Sequence, residues 1–219
     1  AIAITDHIEY QPHAKDVPTQ HKRPYELAAD SARQHDLLLI RGAEITRDTP
    51  PGHFNALFLQ DINALDTKEL YAVFDAAAAQ GAFIFWNHPE WKGTELGKWG
   101  AVQQTLLEKK QLHGIEICNG DVYQAEAHRM ATERKLCLLG NSDSHDPIPE
   151  LSRSAEDHRT LTLVFAKDRT LEALHEALAE SRTAVWCKNR LIGRADELQP
   201  LFQACVRVAP PHHHEARKH

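Results

Sequence analysis

Histidine and carboxylate side chains flank the ends of several short apolar segments in this sequence. Six of them are His7, Glu44, His53, His88, Asp143 and His145. Glu116 and Asn119 flank the end of a further apolar segment at 114–118. Imidazole nitrogens and carboxylate oxygens, without cysteine, are the ligands typical of zinc, manganese or iron sites. The six residues therefore predict a metal centre with hydrolytic chemistry.

Each of these histidines, taken alone, has a simpler interpretation. The chain contains 15 histidines, and a single one at a strand end is usually a solvated or hydrogen-bonded side chain. The six residues together favour a metal site, because all of them lie beside apolar segments. Six other histidines lack matching partners and are assigned surface or packing roles: His21, His35, His113, His128, His158 and His175.

The apolar segments alternate between the spacing of strands and the spacing of helices. The predicted strands are 1–4, 37–40, 54–59, 82–86, 114–118, 136–140, 160–165 and 183–186, and the predicted helices are 24–35, 67–80, 99–111, 122–135 and 170–180. Such alternation is typical of an α/β protein with a mainly parallel sheet. Because the carboxyl ends of parallel strands meet on one face, the six residues are expected to converge there.

Composition narrows the classes of function. The chain has 219 residues and a formal net charge of −6, which disfavours a broad electrostatic grip on nucleic acid. Its four cysteines are far apart and form no C-x-x-C pair, which argues against a disulfide framework or a thiolate zinc site. No apolar segment is long and uncharged enough to predict a membrane span. We expect one main domain at 1–190, an appendage at 191–208 and a disordered tail at 209–219.

Six short motifs occur in an order found in one known family. They are ITDH (4–7), GAEIT (42–46), GHFNALF (52–58), NHPEW (87–91), GIEICNG (114–120) and GNSDSH (140–145). Together they resemble the PHP superfamily, named for polymerase and histidinol phosphatase. The segment 7–13 is also similar to the standalone bacterial PHP phosphoesterases.

The resemblance implies a distorted, TIM-like (β/α)7 barrel that hydrolyses phosphoesters with a metal-bound hydroxide and two or three divalent ions (zinc, manganese or iron). When the roles are carried over residue by residue, Glu44 is the ligand shared by two ions. His53 and His88 complete the first of these ions, and Asp143 binds the second. His7 and His145 bind a third ion, and Asp6 orients His7. The family's first motif, H-x-H, is not in this sequence. The resemblance therefore implies a chain that lacks the first βα unit of the barrel, with weak or no activity as a consequence.

A phosphoester substrate also calls for fixed cations. The candidates are His13, Lys22, Arg23 and Arg159, although a Lys-Arg pair is more often solvated surface. The acidic net charge favours a small-molecule phosphoester, cleaved by a phosphatase or phosphodiesterase. One alternative is a nuclease, for which a basic groove would continue away from the site. The other is a catalytically inactive PHP-fold protein that binds metal or a partner, and the missing H-x-H favours it.

Overall fold

Strands and helices alternate along most of the chain. A computed structural model describes residues 1–12, 21–146 and 158–211. The strands are β1 (Ile2–Ile4), β2 (Leu39–Ile45), β3 (Phe54–Leu57), β4 (Phe83–Trp86), β5 (Gly114–Asn119), β6 (Val122–Tyr123), β7 (Cys137–Asn141), β8 (Leu161–Val164), β9 (Thr183–Cys187) and β10 (Arg190–Gly193). The helices are α1 (Arg23–Gln34), α2 (Leu70–Ala78), α3 (Ala101–Glu108), α4 (Ala125–Glu133), α5 (Leu171–Ala179) and α6 (Ala195–Cys205), with a 3-10 turn at Asn63–Leu65. Over these ranges, no helix combines the length and apolarity needed to cross a membrane.

Seven strands form one curled sheet that resembles half a barrel. Its order is β1-β2-β3-β4-β5, and β5 also pairs with β6 and β7. The predicted α/β class is confirmed. The prediction of a mainly parallel sheet is wrong, because β3 is antiparallel to both of its neighbours. Only residues 46–53 connect β2 to β3, and a parallel crossover needs about a dozen residues or more.

The reversed direction of β3 decides where its flanking residues lie. In the ladder, Ile45 at the end of β2 is paired with Phe54 at the start of β3, which in turn is paired with Trp86 at the end of β4. The start of β3 therefore shares an edge with the ends of β2 and β4. The backbone N–H of Asn87 donates to the carbonyl of His53 at 2.9 Å and extends this edge by one residue.

A hairpin replaces the start of one predicted helix. The segment 122–135 was expected to be helical throughout, but Val122 and Tyr123 pair with Asn119 and Cys118 across a tight turn. Gly120 in that turn has a φ of +50°, a conformation that glycine adopts at little cost. Helix α4 consequently begins at Ala125.

A second, antiparallel sheet contains β8, β9 and β10 and packs beside β7. The two sheets meet at a side chain: Thr162 Oγ1 donates to the carbonyl of Gly140 at 2.8 Å and accepts from its N–H at 2.9 Å. A Cβ atom on Gly140 would lie 2.3 Å from Val185 Cγ1, so this close approach requires glycine. The segment predicted as an appendage, 191–208, contains α6 and most of β10, while 212–219 of the predicted tail lie outside the described residues.

Aromatic side chains form the base of the main core on the outer face of the sheet. Phe54 and Phe74 are fully buried and meet edge to face, with ring centroids 5.0 Å apart. Trp86 stacks on the other side of Phe54 at 6.3 Å. Because Phe54 follows His53 directly, this packing fixes the edge of the sheet at which the polar residues gather.

We predict that Phe74→Ala lowers the free energy of unfolding by about 3–5 kcal/mol, since it removes a buried ring and leaves a cavity. The control is Tyr71→Ala on the same helix, whose side chain is 39% exposed. That variant should lose about 1 kcal/mol or less. Urea denaturation of both proteins measures the difference, and equal losses would contradict this description of the core.

Candidate metal centre

Three side chains from three strand ends form a compact, largely buried cluster. Glu44 lies in β2, His53 immediately precedes β3, and His88 follows β4 by two residues. One ligand atom from each lies within 4.8 Å of the others. Glu44 and His88 are only 5% and 7% exposed. Because β3 runs antiparallel, a residue before it and residues at the end of β2 or after β4 meet at the same edge.

The ring nitrogens in this cluster lack the hydrogen bonds that buried polar atoms normally make. His53 Nδ1 lies 2.8 Å from Glu44 Oε1, but without the alignment of an N–H···O hydrogen bond. His88 Nδ1 is also buried and without a hydrogen-bond partner. Such atoms are costly unless something satisfies them, and divalent metal ions accept a ligand set of two imidazoles and one carboxylate. The three residues therefore fit a divalent metal ion.

The charge states of the cluster also suit a divalent metal ion. Burial alone would raise the pKa of Glu44, but the close contacts and charge interactions of its carboxylate with His53 and His7 outweigh burial and lower the pKa to about 2. Burial lowers the pKa of His88. At neutral pH the cluster consequently offers a carboxylate and, at His88, an uncharged imidazole with a free lone pair, which is the form that binds metal.

The other three predicted residues adjoin this cluster. His7 Nδ1 lies 3.5 Å from Glu44 Oε1, and Asp143 Oδ2 lies 4.0 Å from His88 Nε2. His145 closes the set, because its Nδ1 is 3.8 Å from Asp143 Oδ1 and its ring centroid is 5.8 Å from that of His7. All six side chains thus lie at one end of the sheet, and their roles as ligands stay a prediction.

Thr46 was not anticipated from the sequence. Its Oγ1 lies 2.6 Å from His7 Nδ1 and 3.5 Å from Glu44 Oε1, so it orients the histidine that Asp6 was expected to orient. Among the described contacts, Asp6 contributes its backbone carbonyl, which accepts the N–H of Glu44 at 3.0 Å. The available signal was the two-residue spacing from Glu44, since such residues share one face of a strand.

A second buried carboxyl group lies beside the cluster. Glu116 is 2% exposed, and its Oε2 accepts the backbone N–H of His88 at 2.7 Å. Asn119 Nδ2 donates to the same oxygen at 3.3 Å and to Asp143 Oδ2 at 3.1 Å, while Asn141 Nδ2 donates to Oε1 at 2.8 Å. Burial raises the pKa of Glu116 to about 8, against the opposing effect of these three donors.

The predicted phosphate-binding cations lie in different surroundings. Lys22 Nζ and Arg23 Nη1 lie 3.4 and 3.9 Å from Glu26 carboxylate oxygens. Arg23 and Arg159 line an open groove of about 1280 Å³ that also contains His7, His88, Asp143 and His145. Lys22 is not among the described residues that line this groove. His13 lies outside the described residues.

Two half-exposed aromatic rings stand beside the candidate ligands. Tyr10 meets His7 edge to face, with centroids 5.5 Å apart. Trp91 lies 5.5 Å from the His53 ring and 5.9 Å from the His88 ring. Rings in this position can pack against a flat group on a bound molecule.

Comparison with known proteins includes a strong match to a solved structure. No family model and no curated protein matches the chain. A two-domain protein from Bacteroides vulgatus that contains a predicted PHP-like metal-dependent phosphoesterase matches with 42% sequence identity and a TM-score of 0.91. The match covers 97% of this chain, which spans 63% of the length of that protein. A candidate metal-dependent phosphoesterase from Bifidobacterium adolescentis matches at 13% identity over 66% of this chain and 77% of its own, with a TM-score of 0.48, which does not establish a shared fold.

We predict that His88→Ala weakens binding of the tightest zinc or cobalt ion at least about 100-fold, the upper end of what loss of a merely supporting residue costs. The control is His128→Ala on α4, whose ring contacts Tyr123 at a distance from the cluster. Competition with a chromophoric chelator measures both affinities. Wild-type affinity in His88→Ala would show that the cluster does not hold the ion.

Proposed function

The chain belongs to the PHP superfamily, and on that basis we propose that it is a metal-dependent phosphoesterase, a phosphoric ester hydrolase. The observation that carries the proposal is the buried cluster of Glu44, His53 and His88. It combines an ionised carboxylate with two ring nitrogens that have no hydrogen-bond partner. A cluster of this kind serves a bound cation better than it serves the stability of the fold.

We propose divalent ions, two or three in number, as the cofactor, with zinc, manganese and iron as candidates. The proposed ligands are Glu44 shared by two ions, His53 and His88 on the first, Asp143 on the second, and His7 and His145 on a third. The distances among these side chains support the assignment, because each side chain lies within 4 Å of another or has its ring next to another ring. When bound, such ions activate a water molecule and polarise phosphoryl oxygens.

The protein's own residues would bind and orient the substrate. The ionised Glu44 would reduce the repulsion between two bound cations, and the uncharged ring of His88 would offer its lone pair to one of them. Arg23 and Arg159, which are far apart in the sequence, line the groove that leads to the cluster, where guanidinium groups can hold phosphoryl oxygens. Tyr10 and Trp91 would contact the part of the ester that leaves.

We propose a small-molecule phosphoester as the substrate class. The net charge of −6 supports it over a polyanionic substrate. A nuclease is the enzyme alternative, and an inactive protein that only binds metal or a partner is the other. The buried cluster of Glu44, His53 and His88 favours the enzyme over the inactive protein.

The finer architecture is also a proposal. We infer that the curled seven-stranded sheet corresponds to part of a distorted (β/α)7 barrel without its first βα unit. Pairing of β1 with β2 alone among the described strands supports this inference. We further propose that 1–190 form the hydrolase unit and that α6, with no buried residue of its own, belongs to a segment appended to it.

We predict that the protein hydrolyses nitrophenyl phosphate or its bis-ester with added manganese or zinc, and that Glu44→Gln lowers kcat/KM at least about 100-fold. The amide keeps the shape of the side chain but removes the charge that holds two cations together. His128→Ala should retain wild-type turnover. Full turnover in Glu44→Gln with unchanged metal content would contradict the proposed mechanism.

Chelation and a second substrate separate the alternatives. Removing metal should abolish hydrolysis, and returning manganese or zinc should restore it. An inactive protein would show no turnover with any metal or ester. A nuclease would cleave a single-stranded oligonucleotide faster than the aryl esters.

A further inference from the structure

Two of the proposed ligands stand on backbone that L-residues rarely adopt. His88 has a φ of +23° and Asp143 a φ of +46°. A non-glycine residue in this region is strained, so it persists only where the surroundings fix it. The two turns follow β4 and β7, which are not paired to each other but flank β5 on either side. A side chain on β5 can therefore reach both turns.

Glu116 of β5 holds the first of these turns. Its Oε2 accepts the backbone N–H of His88 itself at 2.7 Å. A hydrogen bond between two buried groups is costly to break, because neither group can reach water in its place. The contact fixes the peptide group at the strained residue and so fixes the direction from which the imidazole leaves the backbone.

Asn119 of the same strand connects this contact to the second turn. Its side-chain amide donates to Glu116 Oε2 at 3.3 Å and to Asp143 Oδ2 at 3.1 Å. Asn141 at the end of β7 holds the other carboxyl oxygen at 2.8 Å. One carboxyl group is thereby linked to both ligand-bearing turns.

Glu116 is poorly placed to be a ligand itself. Both of its oxygens already accept hydrogen bonds, and the residue is 2% exposed. It is also absent from the described group of side chains whose ligand atoms lie within 4.8 Å of one another.

We propose that Glu116, with Asn119, is a positioning residue that sets the separation of His88 and Asp143 and thereby the geometry of the two neighbouring ions. The inference rests on the proposed function, because it concerns the same site. It predicts a role for the GIEICNG segment that the ligand assignment leaves without one.

The test replaces Glu116 in two ways. Glu116→Met keeps the volume but removes both acceptors, and Glu116→Gln retains one oxygen that can accept from His88. The control is Thr183→Val on β9, which removes a buried 2.8 Å hydrogen bond from Oγ1 to the Leu138 carbonyl away from the site. Thermal unfolding of the metal-free proteins measures the stability of each variant, so that changes in metal binding can be compared at a known loss of stability.

We expect Glu116→Met to weaken cobalt binding about 10–100-fold and to change the visible spectrum of the bound cobalt, because supporting residues set ligand geometry. Glu116→Gln should lie between this variant and the wild type. Thr183→Val should keep wild-type affinity and spectrum despite its loss of stability. Wild-type affinity and spectrum in Glu116→Met would overturn the proposal, as would equal changes in Glu116→Met and Thr183→Val.

A measurement without metal separates this inference from the proposed function. Hydrogen exchange of the His88 amide, resolved by nitrogen-15 NMR, should accelerate in Glu116→Met and not in Thr183→Val. If the wild type binds no cobalt, the proposed function fails, while the amide still reports whether Glu116 fixes the turn. An unchanged His88 exchange rate in Glu116→Met would overturn the positioning role regardless of metal.

Discussion

A buried carboxylate is the constraint around which this structure is organised. Placing the charge of Glu44 where only 5% of the residue is exposed costs several kcal/mol unless partners compensate. The compensation comes from His7 and His53, which the chain brings from a parallel neighbour and an antiparallel neighbour of the same strand. The antiparallel direction of β3 is therefore a requirement of the site, because a parallel β3 would place His53 at the opposite end of the sheet.

The sequence predicts which side chains gather at one end of the sheet better than the arrangement that supports them. The convergence of His7 and His88 was predictable because strand ends can be recognised from apolar segments and because several possible ligands lie at such ends. The direction of β3 was not, since the length of the 46–53 connection decides it and hydrophobic period does not. Thr46 and Asn141 were missed for a different reason. Their importance lies in contacts between strands, which a single sequence does not display.

The site is layered between an apolar base and a polar edge. Phe54, Trp86 and Ile115 are fully or almost fully buried and pack on the opposite face of the sheet from Glu44. On the face that carries the cluster, the carboxylates of Glu44 and Asp143 both approach His88. Because like charges repel one another, this arrangement favours a cation between them. The core and the chemistry consequently depend on the same three strand ends.

Where the two sheets meet, a side chain makes the hydrogen bonds that the backbone of a neighbouring strand would otherwise make. The hydroxyl of Thr162 occupies both backbone groups of Gly140, a task that normally needs the main chain of a neighbouring strand. Gly140 in turn has room for no Cβ, because Val185 fills that space. A side chain at 140 would collide with Val185 and Thr160, and loss of the Thr162 hydroxyl would leave the N–H and C=O of Gly140 without this partner. A change at either position therefore loosens the contact between the two sheets.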